Sequence, residues 1–433
     1  MSTILLNRAA SLDDYLAAGG GAGLSRARGL GPAAVVAEIR NSGLRGRGGA
    51  GFPTGIKWAG AASADGPAYV VCNAAEGEPG TFKDRWLIRT NPYQLIEGMA
   101  VAALAIGAAE AFIGIKARFE PETAALHRAV AEMAVGGMLD GLEVTIVPGP
   151  DDYLFGVETA LLEVIEGRDP LPRIHPPYVQ GLFEETIDDP VAVVVNNVET
   201  LSNVPHIVAR GAGWFRSFGT EDSPGTMVFT IGGDVEQEVV AELPLGTPFS
   251  RLLSLAGGVT EGRSVTMVAN GVSNRPLRGD ELETRLDYAS MQDIGSGLGS
   301  GGFTVYDETA CVAGVTRALS AFLANGSCGQ CPPCKRGTTE ITRRLGQLAG
   351  GVDGVSELED IAAWTVRVTD SNRCGLGAGE AALIQGVLAH FGEHLARHVA
   401  GVECPGERTY TAPVIYDWDS EAGRFTYGVP PPL

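Results

Sequence analysis

Three features are missing from this sequence: a long apolar run, an excess of positive charge and an N-terminal export signal. Without a run of about 20 apolar residues no segment can span a bilayer, so we expect no membrane insertion. The first residues, MSTILLNRAASLDDYL, have no charged segment followed by an apolar core, so no signal peptide is predicted. We therefore expect a cytoplasmic protein.

The charge balance of the 433-residue chain excludes one class of partner. The formal net charge is −20, so the chain as a whole would be repelled by the phosphates of a nucleic acid. Of the 32 basic residues only 4 are lysines, which makes each lysine a candidate for a chemical role. They are Lys57, Lys83, Lys116 and Lys335.

Composition and hydrophobic periodicity divide the chain into five parts. A Gly- and Ala-rich stretch at 1–30 is expected to be an irregular extension. Apolar runs and helical stretches then alternate over 31–222, which predicts an α/β domain with a parallel or mixed sheet. Short strands and turns predict a small α+β domain at 223–308, and helical periodicity predicts an all-α domain at 309–402. The Pro- and Gly-rich residues 403–433 are expected to form an irregular tail.

Three of the seven cysteines share one short loop. In SCGQCPPCKRG (327–337) they are spaced C-x₂-C-x₂-C, which suits a cuboidal iron–sulfur cluster better than a zinc ion. A bacterial ferredoxin would have its next cysteine where Thr338 stands, so the simple ferredoxin arrangement is excluded. The predicted ligands in this loop are Cys328, Cys331 and Cys334.

A fourth ligand must come from outside the loop, and the remaining cysteines are Cys72, Cys311, Cys374 and Cys404. Cys374 lies between two predicted helices and can fold back onto the loop. Cys72 in a strand and Cys311 at a helix start are expected to be core thiols. We predict a [4Fe–4S] cluster whose fourth ligand is Cys374; a zinc site and a redox or buried-thiol role are the alternatives.

A glycine-rich loop, LRGRGGAGFPTGIKW, predicts an anion site. Its glycines formally spell G-x-G-x-x-G, but the motif follows a predicted helix and runs into Phe-Pro, so a Rossmann fingerprint is not indicated. The many glycines still let backbone N–H groups approach a phosphate. Arg45, Arg47 and Lys57 add positive charge to this loop.

Two polar clusters follow predicted strands, at the edge where ligands bind to open α/β sheets. CNAAEGEPGTFKDR (72–85) contributes polar side chains, and VVNNVETL (194–201) contributes two neighbouring amides. Side-chain amides suit the polar edge of a flavin because they donate and accept hydrogen bonds without adding charge. Together with the glycine loop, these clusters predict a flavin site.

The motifs SGLRGRGGAGFPTGIKW, CNAAEGEPGTFKDR, GVETALLEVIEG, VNNVETL and SCGQCPPCKRGT resemble one family in the same order. The chain is similar to the NADH-oxidising flavoprotein subunit of respiratory complex I and to its relatives in NAD-linked hydrogenases and formate dehydrogenases. The resemblance implies a Rossmann-like α/β domain that binds FMN, a ubiquitin-like α+β domain of SLBB type, and a four-helix domain with the [4Fe–4S] cluster. It also implies a small ferredoxin- or thioredoxin-like iron–sulfur partner within a larger redox complex peripheral to a membrane.

The same resemblance implies roles for particular residues. NADH would pass hydride to N5 of FMN, and electrons would leave singly through the cluster. Glu78 and Glu158 would form the catalytic pair beside the ribose and amide of NADH, and Phe52 and Tyr178 would lie near the adenine. The residues implied for FMN are Gly46, Gly48, Gly49, Lys57, Asn73, Glu76, Tyr153, Gly156, Asn196, Asn197 and Thr200, with Lys57 near the phosphate.

Four positions depart from the family's usual pattern. Ala75 stands where the family has aspartate, Val157 where it has glutamate, His175 where it has lysine and Gly60 where it has an aromatic residue. These changes surround the implied flavin edge and dinucleotide pocket. They favour one alternative, a related electron-transfer protein that uses a donor or acceptor other than NADH. A second alternative, which concerns the cysteine site, is a non-catalytic zinc scaffold.

Overall fold

A computed structural model describes residues 3–64, 66–183, 191–350, 354–401 and 408–428. The chain divides into two compact units. Unit 1 comprises Met1–Glu76, Phe82–Val228 and Val240–Gly246, and unit 2 comprises Gly77–Thr81, Phe229–Val239 and Thr247–Leu433.

Unit 1 contains the predicted α/β fold. Its four strands are all parallel and lie in the order β3-β2-β1-β4, which confirms the parallel sheet. The central strand β1 has five of its seven residues buried, as a parallel strand covered by helices requires. The strands are β1 (Ala68–Ala74), β2 (Glu110–Lys116), β3 (Glu143–Gly149) and β4 (Ala192–Asn197).

Ten helices described in unit 1 surround this sheet or extend from it. Helix α6 is almost wholly buried, because its sequence PYQLIEGMAVAALAI is apolar on every face. Asn91 caps its start by accepting a hydrogen bond from Gln94 N, and Gly107 ends it with a φ of 74°. The helices are α1 (Leu12–Ala17), α2 (Ala22–Leu30), α3 (Pro32–Ser42), α4 (Thr54–Ala62), α5 (Lys83–Thr90), α6 (Pro92–Ile106), α7 (Glu120–Val135), α8 (Glu158–Ile165), α9 (Val198–Arg210) and α10 (Ala212–Phe215).

The N-terminal segment differs from the irregular extension that we predicted, because it contains α1 and α2. The buried carboxylate of Glu97 on α6 holds them: it accepts hydrogen bonds from Tyr15 Oη at 2.6 Å, Gly21 N at 2.6 Å and Leu24 N at 2.8 Å. The small residues of the segment permit close packing, since a Cβ on Gly23 would lie only 2.5 Å from the carbonyl oxygen of Pro205.

A second sheet has five strands in the order β6-β5-β9-β7-β8. It is mixed: β9 pairs parallel with β5 and antiparallel with β7, and β7 pairs antiparallel with β8. Its elements are β5 (Thr226–Gly233), β6 (Val239–Pro244), α11 (Phe249–Leu255), β7 (Val265–Asn270), β8 (Leu277–Arg278), α12 (Tyr288–Asp293) and β9 (Gly302–Asp307). This arrangement of short strands and helices matches the α+β texture of the sequence.

Helices dominate the remainder of unit 2. Helix α14 packs against α13, α15 and α16, and α16 packs against α13 and α15. The shorter helix α17 covers part of the same group. The helices are α13 (Val312–Gly326), α14 (Pro332–Ala349), α15 (Gly354–Arg367), α16 (Leu376–His390) and α17 (Gly392–Val399).

The described part of the C-terminal tail is more regular than we predicted. It forms an antiparallel hairpin of β10 (Ile415–Asp419) and β11 (Arg424–Tyr427). The carboxylate of Glu238 accepts hydrogen bonds from Phe425 N and Tyr427 Oη, and Arg408 Nη1 lies 2.7 Å from the carboxylate of Asp234. These distant partners hold a segment whose own composition gives little sign of structure.

Candidate functional site

The first candidate site lies at the carboxyl ends of β1 and β4. The chain proceeds from β1 to β2 on one side and later returns to place β4 on the other side, so the strand order reverses between β1 and β4. Ligands of open α/β sheets bind at such a switch point. The sheet register sets Asn73 opposite Asn197 and Cys72 opposite Asn196, so the predicted amides meet there.

Neighbouring groups orient each of these three amides. Asn73 Nδ2 donates to the carbonyl oxygen of Gly156 at 2.7 Å. Asn196 Oδ1 accepts from the indole Nε1 of Trp58 at 2.9 Å. Asn197 Nδ2 donates to Asp84 Oδ2 at 2.6 Å, and the resulting set of fixed amide groups lines one edge of the sheet.

Asp84, the hydrogen-bond partner of Asn197, belongs to a buried ionic network. Lys83 Nζ lies 2.8 Å from a carboxylate oxygen of Asp84 and 2.8 Å from one of Glu199, and all three side chains are buried. Glu199 also accepts a hydrogen bond from Val228 N at 2.9 Å. Burial raises the pKa of Asp84 to about 6, with Lys83 opposing this shift. Lys83 and Asp84 therefore hold the side chain of Asn197 in place.

The glycine loop lies against the end of β4. Gly46 N donates to the carbonyl oxygen of Phe52 at 2.8 Å and closes the loop, while Thr200 Oγ1 accepts from Arg47 N at 2.8 Å. A Cβ on Gly48 would approach Asn197 Cβ to 3.2 Å, and Gly49 has a φ of 129° with open space beside it. The loop is thus a narrow cradle of backbone, which fits the requirement of a flavin phosphate for close N–H groups.

The positive charges of the glycine loop differ from those predicted. Arg47 is fully buried and donates to the carbonyl oxygen of Thr226 at 3.0 Å, with Glu199 4.0 Å away. It therefore holds the loop in place and presents no charge at its surface. Lys57 remains half-buried, and its Nζ lies 2.5 Å from Glu158 Oε1 and 2.9 Å from the carbonyl oxygen of Val195.

The other predicted pocket residues have different surroundings. Glu76 is buried and uses both oxygens internally, accepting from Asp84 N at 2.9 Å and Arg85 Nε at 2.8 Å. Tyr153 and Gly156 form a short 3₁₀ helix, Tyr153–Gly156, whose last carbonyl binds Asn73. Phe52 and Tyr178 are 50% and 83% exposed, so their rings are accessible for stacking.

Among the residues predicted for the FMN and NADH pocket, Glu78 belongs to unit 2. Its carboxylate accepts a hydrogen bond from Val272 N at 2.8 Å. Gly271 has a φ of 61°, and a Cβ there would lie 2.2 Å from Glu78 Oε1, so only glycine leaves room for this contact. The loop that carries Glu78 is held by Gly80 N, which donates to the carbonyl oxygen of Pro413 at 2.8 Å.

The cradle makes a prediction about Gly48. Gly48→Ala should weaken FMN binding about tenfold, or about 1.4 kcal/mol, because the added methyl group crowds Asn197 and narrows the approach to the loop. Fluorescence titration of the apoprotein with FMN measures this change. Gly213→Ala on α10 is the matched control, since a Cβ there meets nothing within 4 Å; equal FMN affinities for the two variants would contradict the crowding expected at Gly48.

The second candidate site contains the predicted cluster cysteines. Cys328 and Cys331 lie between α13 and α14, Cys334 lies in the first turn of α14, and Cys374 lies just before α16. Burial raises the pKa of the Cys374 thiol. Its neighbour Arg373 contacts the cysteine loop through Cys331 Sγ and Gln330 Oε1, so Cys374 lies beside that loop. Within the described ranges no three His, Cys, Asp or Glu side chains converge closely enough to hold a single metal ion.

Hydrogen-bond donors already point at these sulfurs. Arg373 N donates to Cys331 Sγ at 3.4 Å, Gln330 Nε2 to Cys328 Sγ at 3.6 Å, and Ser327 Oγ lies 3.5 Å from Cys334 Sγ. A cysteine loop whose sulfurs face N–H and O–H donors, with Cys374 beside it, fits an iron–sulfur cluster, because such donors stabilise the cluster's sulfurs.

Two further cysteines are placed as core thiols. Cys72 is buried in β1, and Cys311 is buried at the start of α13, where its Sγ lies 3.3 Å from His398 Nε2. Cys404, which the sequence also offers as a fourth ligand, lies outside the described residues. The positions of Cys72 and Cys311 agree with the expectations from the sequence.

Comparison with known proteins identifies both regions. Residues 39–206 match the family described as the Nuo51 FMN-binding domain, and residues 314–398 match the NADH-ubiquinone oxidoreductase-F iron-sulfur binding region. The fold and the two sites therefore define a protein that binds FMN and a [4Fe–4S] cluster. More particularly, the chain belongs to the family of NADH-quinone oxidoreductase F subunits.

Individual relatives cover nearly the whole chain. The F subunit of NADH-quinone oxidoreductase from Streptomyces coelicolor is 38% identical over 91% of this chain and 89% of its own length. The F subunit numbered 2 of the same enzyme in Rhizobium meliloti is 38% identical over 91% of this chain and 96% of its own length. A crystal structure of an NAD⁺-reducing [NiFe]-hydrogenase in the H₂-reduced state is similar with a TM-score of 0.79 at 31% identity, covering 94% of this chain and 68% of that one.

Among the residues that the structure describes, no helix combines the length and the apolar character that crossing a bilayer requires.

Proposed function

We propose that this chain is an oxidoreductase component that oxidises NADH with bound FMN and passes electrons singly through a [4Fe–4S] cluster to a protein partner. The observation that carries the proposal is the presence, in one chain, of a polar glycine-lined switch point and of a cysteine loop that contacts Arg373, the neighbour of Cys374. When bound, FMN accepts a hydride and gives up electrons one at a time, and the cluster carries single electrons. The family of the chain supports the same assignment.

The residues of unit 1 would bind and orient FMN. Fixed amides at Asn73, Asn196 and Asn197 can meet the polar edge of the ring without adding charge. The backbone of Gly46, Gly48 and Gly49 would bind the phosphate. Lys57 would exchange its present partner Glu158 for that phosphate, since both ligands are anionic oxygens and a charge-assisted bond is strong. Thr200, Tyr153, Gly156 and Glu76 complete the proposed set.

Residues for NADH are assigned on charge and exposure. Glu158, once separated from Lys57, and Glu78 would accept hydrogen bonds from the ribose hydroxyls and the carboxamide. The exposed rings of Phe52 and Tyr178 would stack on the adenine.

The domain organisation is part of the proposal. We assign the FMN-binding domain to 31–222, an SLBB-type α+β domain to 223–308 and a four-helix iron–sulfur domain to 309–402. The mixed sheet and the packing of α13 to α16 support the last two assignments. The segment 1–30 and the tail 403–433 flank these domains.

A protein partner would accept the electrons. Cys328 is exposed, so that edge of the cluster site is accessible from outside the chain. The relatives are named as subunits of NADH-quinone oxidoreductase, and we propose that this chain likewise joins a larger redox complex through a small iron–sulfur protein, peripheral to a membrane.

Anaerobic titration of the loaded protein with NADH tests the function. The flavin absorbance should bleach, and the EPR signal of the reduced cluster should appear at the same time. Dithionite provides the control for intact centres. If dithionite reduces both centres and NADH reduces neither, NADH is not the donor and the alternative electron-transfer role replaces it.

A further inference from the structure

A carboxyl group is sealed inside the helical part of unit 2. Glu380 on α16 is fully buried, and its Oε1 accepts a hydrogen bond from Ser320 Oγ at 2.6 Å. Its Oε2 has no hydrogen-bond partner among the residues that the structure describes. A buried carboxylate with one unsatisfied oxygen is costly when charged, so the carboxyl group favours its protonated state.

A series of hydrogen bonds leads from Glu380 to a cluster ligand. Ser320 Oγ lies 2.7 Å from Thr342 Oγ1, which donates to the carbonyl oxygen of Thr338 at 2.8 Å. Thr338 Oγ1 in turn donates to the carbonyl oxygen of Cys334 at 3.0 Å. The residues form a polar path through a core that is otherwise apolar, and polar paths of this kind are polarised by charge at either end.

Two influences act on the protonation of Glu380, namely its burial and its hydrogen bond with Ser320. Burial raises its pKa to about 8, and the hydrogen bond from Ser320 opposes this rise. Burial raises the pKa of the Cys334 thiol, and the charge of Glu380 is among the smaller causes that raise it. The hydrogen bonds that run from Glu380 through Ser320, Thr342 and Thr338 are the structural link to the cysteine site.

Other polar and charged groups on the packed elements have their own partners. Thr365 on α15 accepts from Gln385 on α16, and Arg275, packed against Gly386, pairs with Glu281. On α17 the ring nitrogen of His398 faces Cys311. The other histidines of these helices are His390, the last residue of α16, and His394 on α17.

We propose that Glu380 is a proton-binding residue coupled to the redox state of the cysteine-bound iron–sulfur site. When the site gains one electron, the ionised carboxylate takes up one proton from solvent, and when the electron leaves, the carboxyl group releases that proton. The electron comes from NADH or, in the test, from dithionite, and the proton comes from solvent. Uptake accompanies reduction where the pH lies between the pKa values of the carboxyl group in the oxidised and reduced states. The proposal concerns the cluster and does not depend on which donor supplies the electron.

The direction of the pH dependence follows from Coulomb's law. Reduction adds negative charge near Glu380 and raises its pKa above the value in the oxidised protein. Below both pKa values the carboxyl group is neutral in either state, so the midpoint potential does not change with pH. Between them the potential falls by about 59 mV per tenfold change in proton concentration for this one-electron couple. Above both it is constant again.

EPR-monitored redox titrations of the full, cluster-loaded chain test the proposal, from about pH 6 to about pH 10. The wild-type potential should be level near neutral pH and should fall above about pH 8. Glu380→Gln, which keeps the shape and can still accept from Ser320, should give a level potential throughout. Glu359→Gln removes an exposed carboxylate from α15 and should behave as wild type.

A second variant separates coupling from a structural role. Ser320→Ala removes the hydrogen bond that favours the charged carboxylate, so the fall in potential should begin at higher pH than in wild type. A level wild-type potential over the whole range overturns the proposal, as does an unchanged slope in Glu380→Gln. If Glu380→Gln loses its cluster, an unshifted onset in Ser320→Ala overturns it instead. Absence of any [4Fe–4S] signal in wild type would contradict the proposed function itself.

Discussion

Cys374→Ser should abolish the EPR signal of the reduced [4Fe–4S] cluster while FMN stays bound. A serine hydroxyl is a poor ligand for iron at neutral pH, and the three cysteines of the loop would leave one iron without its thiolate. The proposed FMN residues of the glycine loop and β4 belong to unit 1, whereas Cys374 belongs to unit 2. Iron and acid-labile sulfide should therefore fall with the EPR signal, and the flavin absorbance should not.

Cys311→Ser is the matched control for this experiment. Cys311 lies in the same unit, but its sulfur faces His398 at the start of α13. We expect this variant to retain the cluster signal. Retention of a normal signal in Cys374→Ser, or its loss in Cys311→Ser, would place the fourth ligand elsewhere.

Glu199→Ala should lower the free energy of unfolding of unit 1 by about 3–5 kcal/mol, because removing one partner leaves a buried charge uncompensated. Lys83 and Arg47 are both fully buried and both face the Glu199 carboxylate. The loss should also release Val228 N from its acceptor and loosen Asn197. Urea denaturation followed by tryptophan fluorescence measures the stability, and FMN titration measures the effect on the site.

A surface ion pair provides the comparison. Glu340 on α14 lies 2.9 Å from Arg343, and both side chains are substantially exposed. Glu340→Ala should change stability by less than about 1 kcal/mol, because water screens such pairs. Similar destabilisation of the two variants would show that burial of the Glu199 network does not determine its importance.

The parts of the fold with strong local patterns could be predicted from the sequence. The alternation of apolar runs and helices predicted the parallel sheet, and the cysteine spacing predicted an iron–sulfur cluster, in agreement with the match of residues 314–398 to an iron-sulfur binding region. The set of four ligands stays a prediction. Both signals are local, because the apolar run of a strand and the spacing of the loop cysteines each extend over a few consecutive residues.

Other features depend on partners far away in the sequence. Helices α1 and α2 are short and rich in small residues, and their stability depends on Glu97, which no local pattern connects to them. The tail hairpin likewise depends on Glu238. Composition predicted irregular structure in both places, and tertiary contacts overrode it.

The supporting residues of the sites were also invisible to sequence reasoning. Trp58 and Glu199 both lie within the quoted motifs, but nothing in their spacing indicates that one orients Asn196 and the other anchors Lys83. Arg47 was misjudged for the same reason: an arginine in a glycine loop resembles an anion ligand until its burial is known. Such roles follow from three-dimensional neighbours.

The contact between Gly80 and Pro413 has a consequence for biosynthesis. The loop that carries Glu78 leaves the ribosome long before the segment around Pro413 that holds it. Because chains begin to fold from the N-terminus during synthesis, the sheet of unit 1 can form while this loop still lacks its backbone partner. The loop becomes complete only after translation has reached the tail, so the proposed NADH residue Glu78 is fixed later than the proposed FMN cradle.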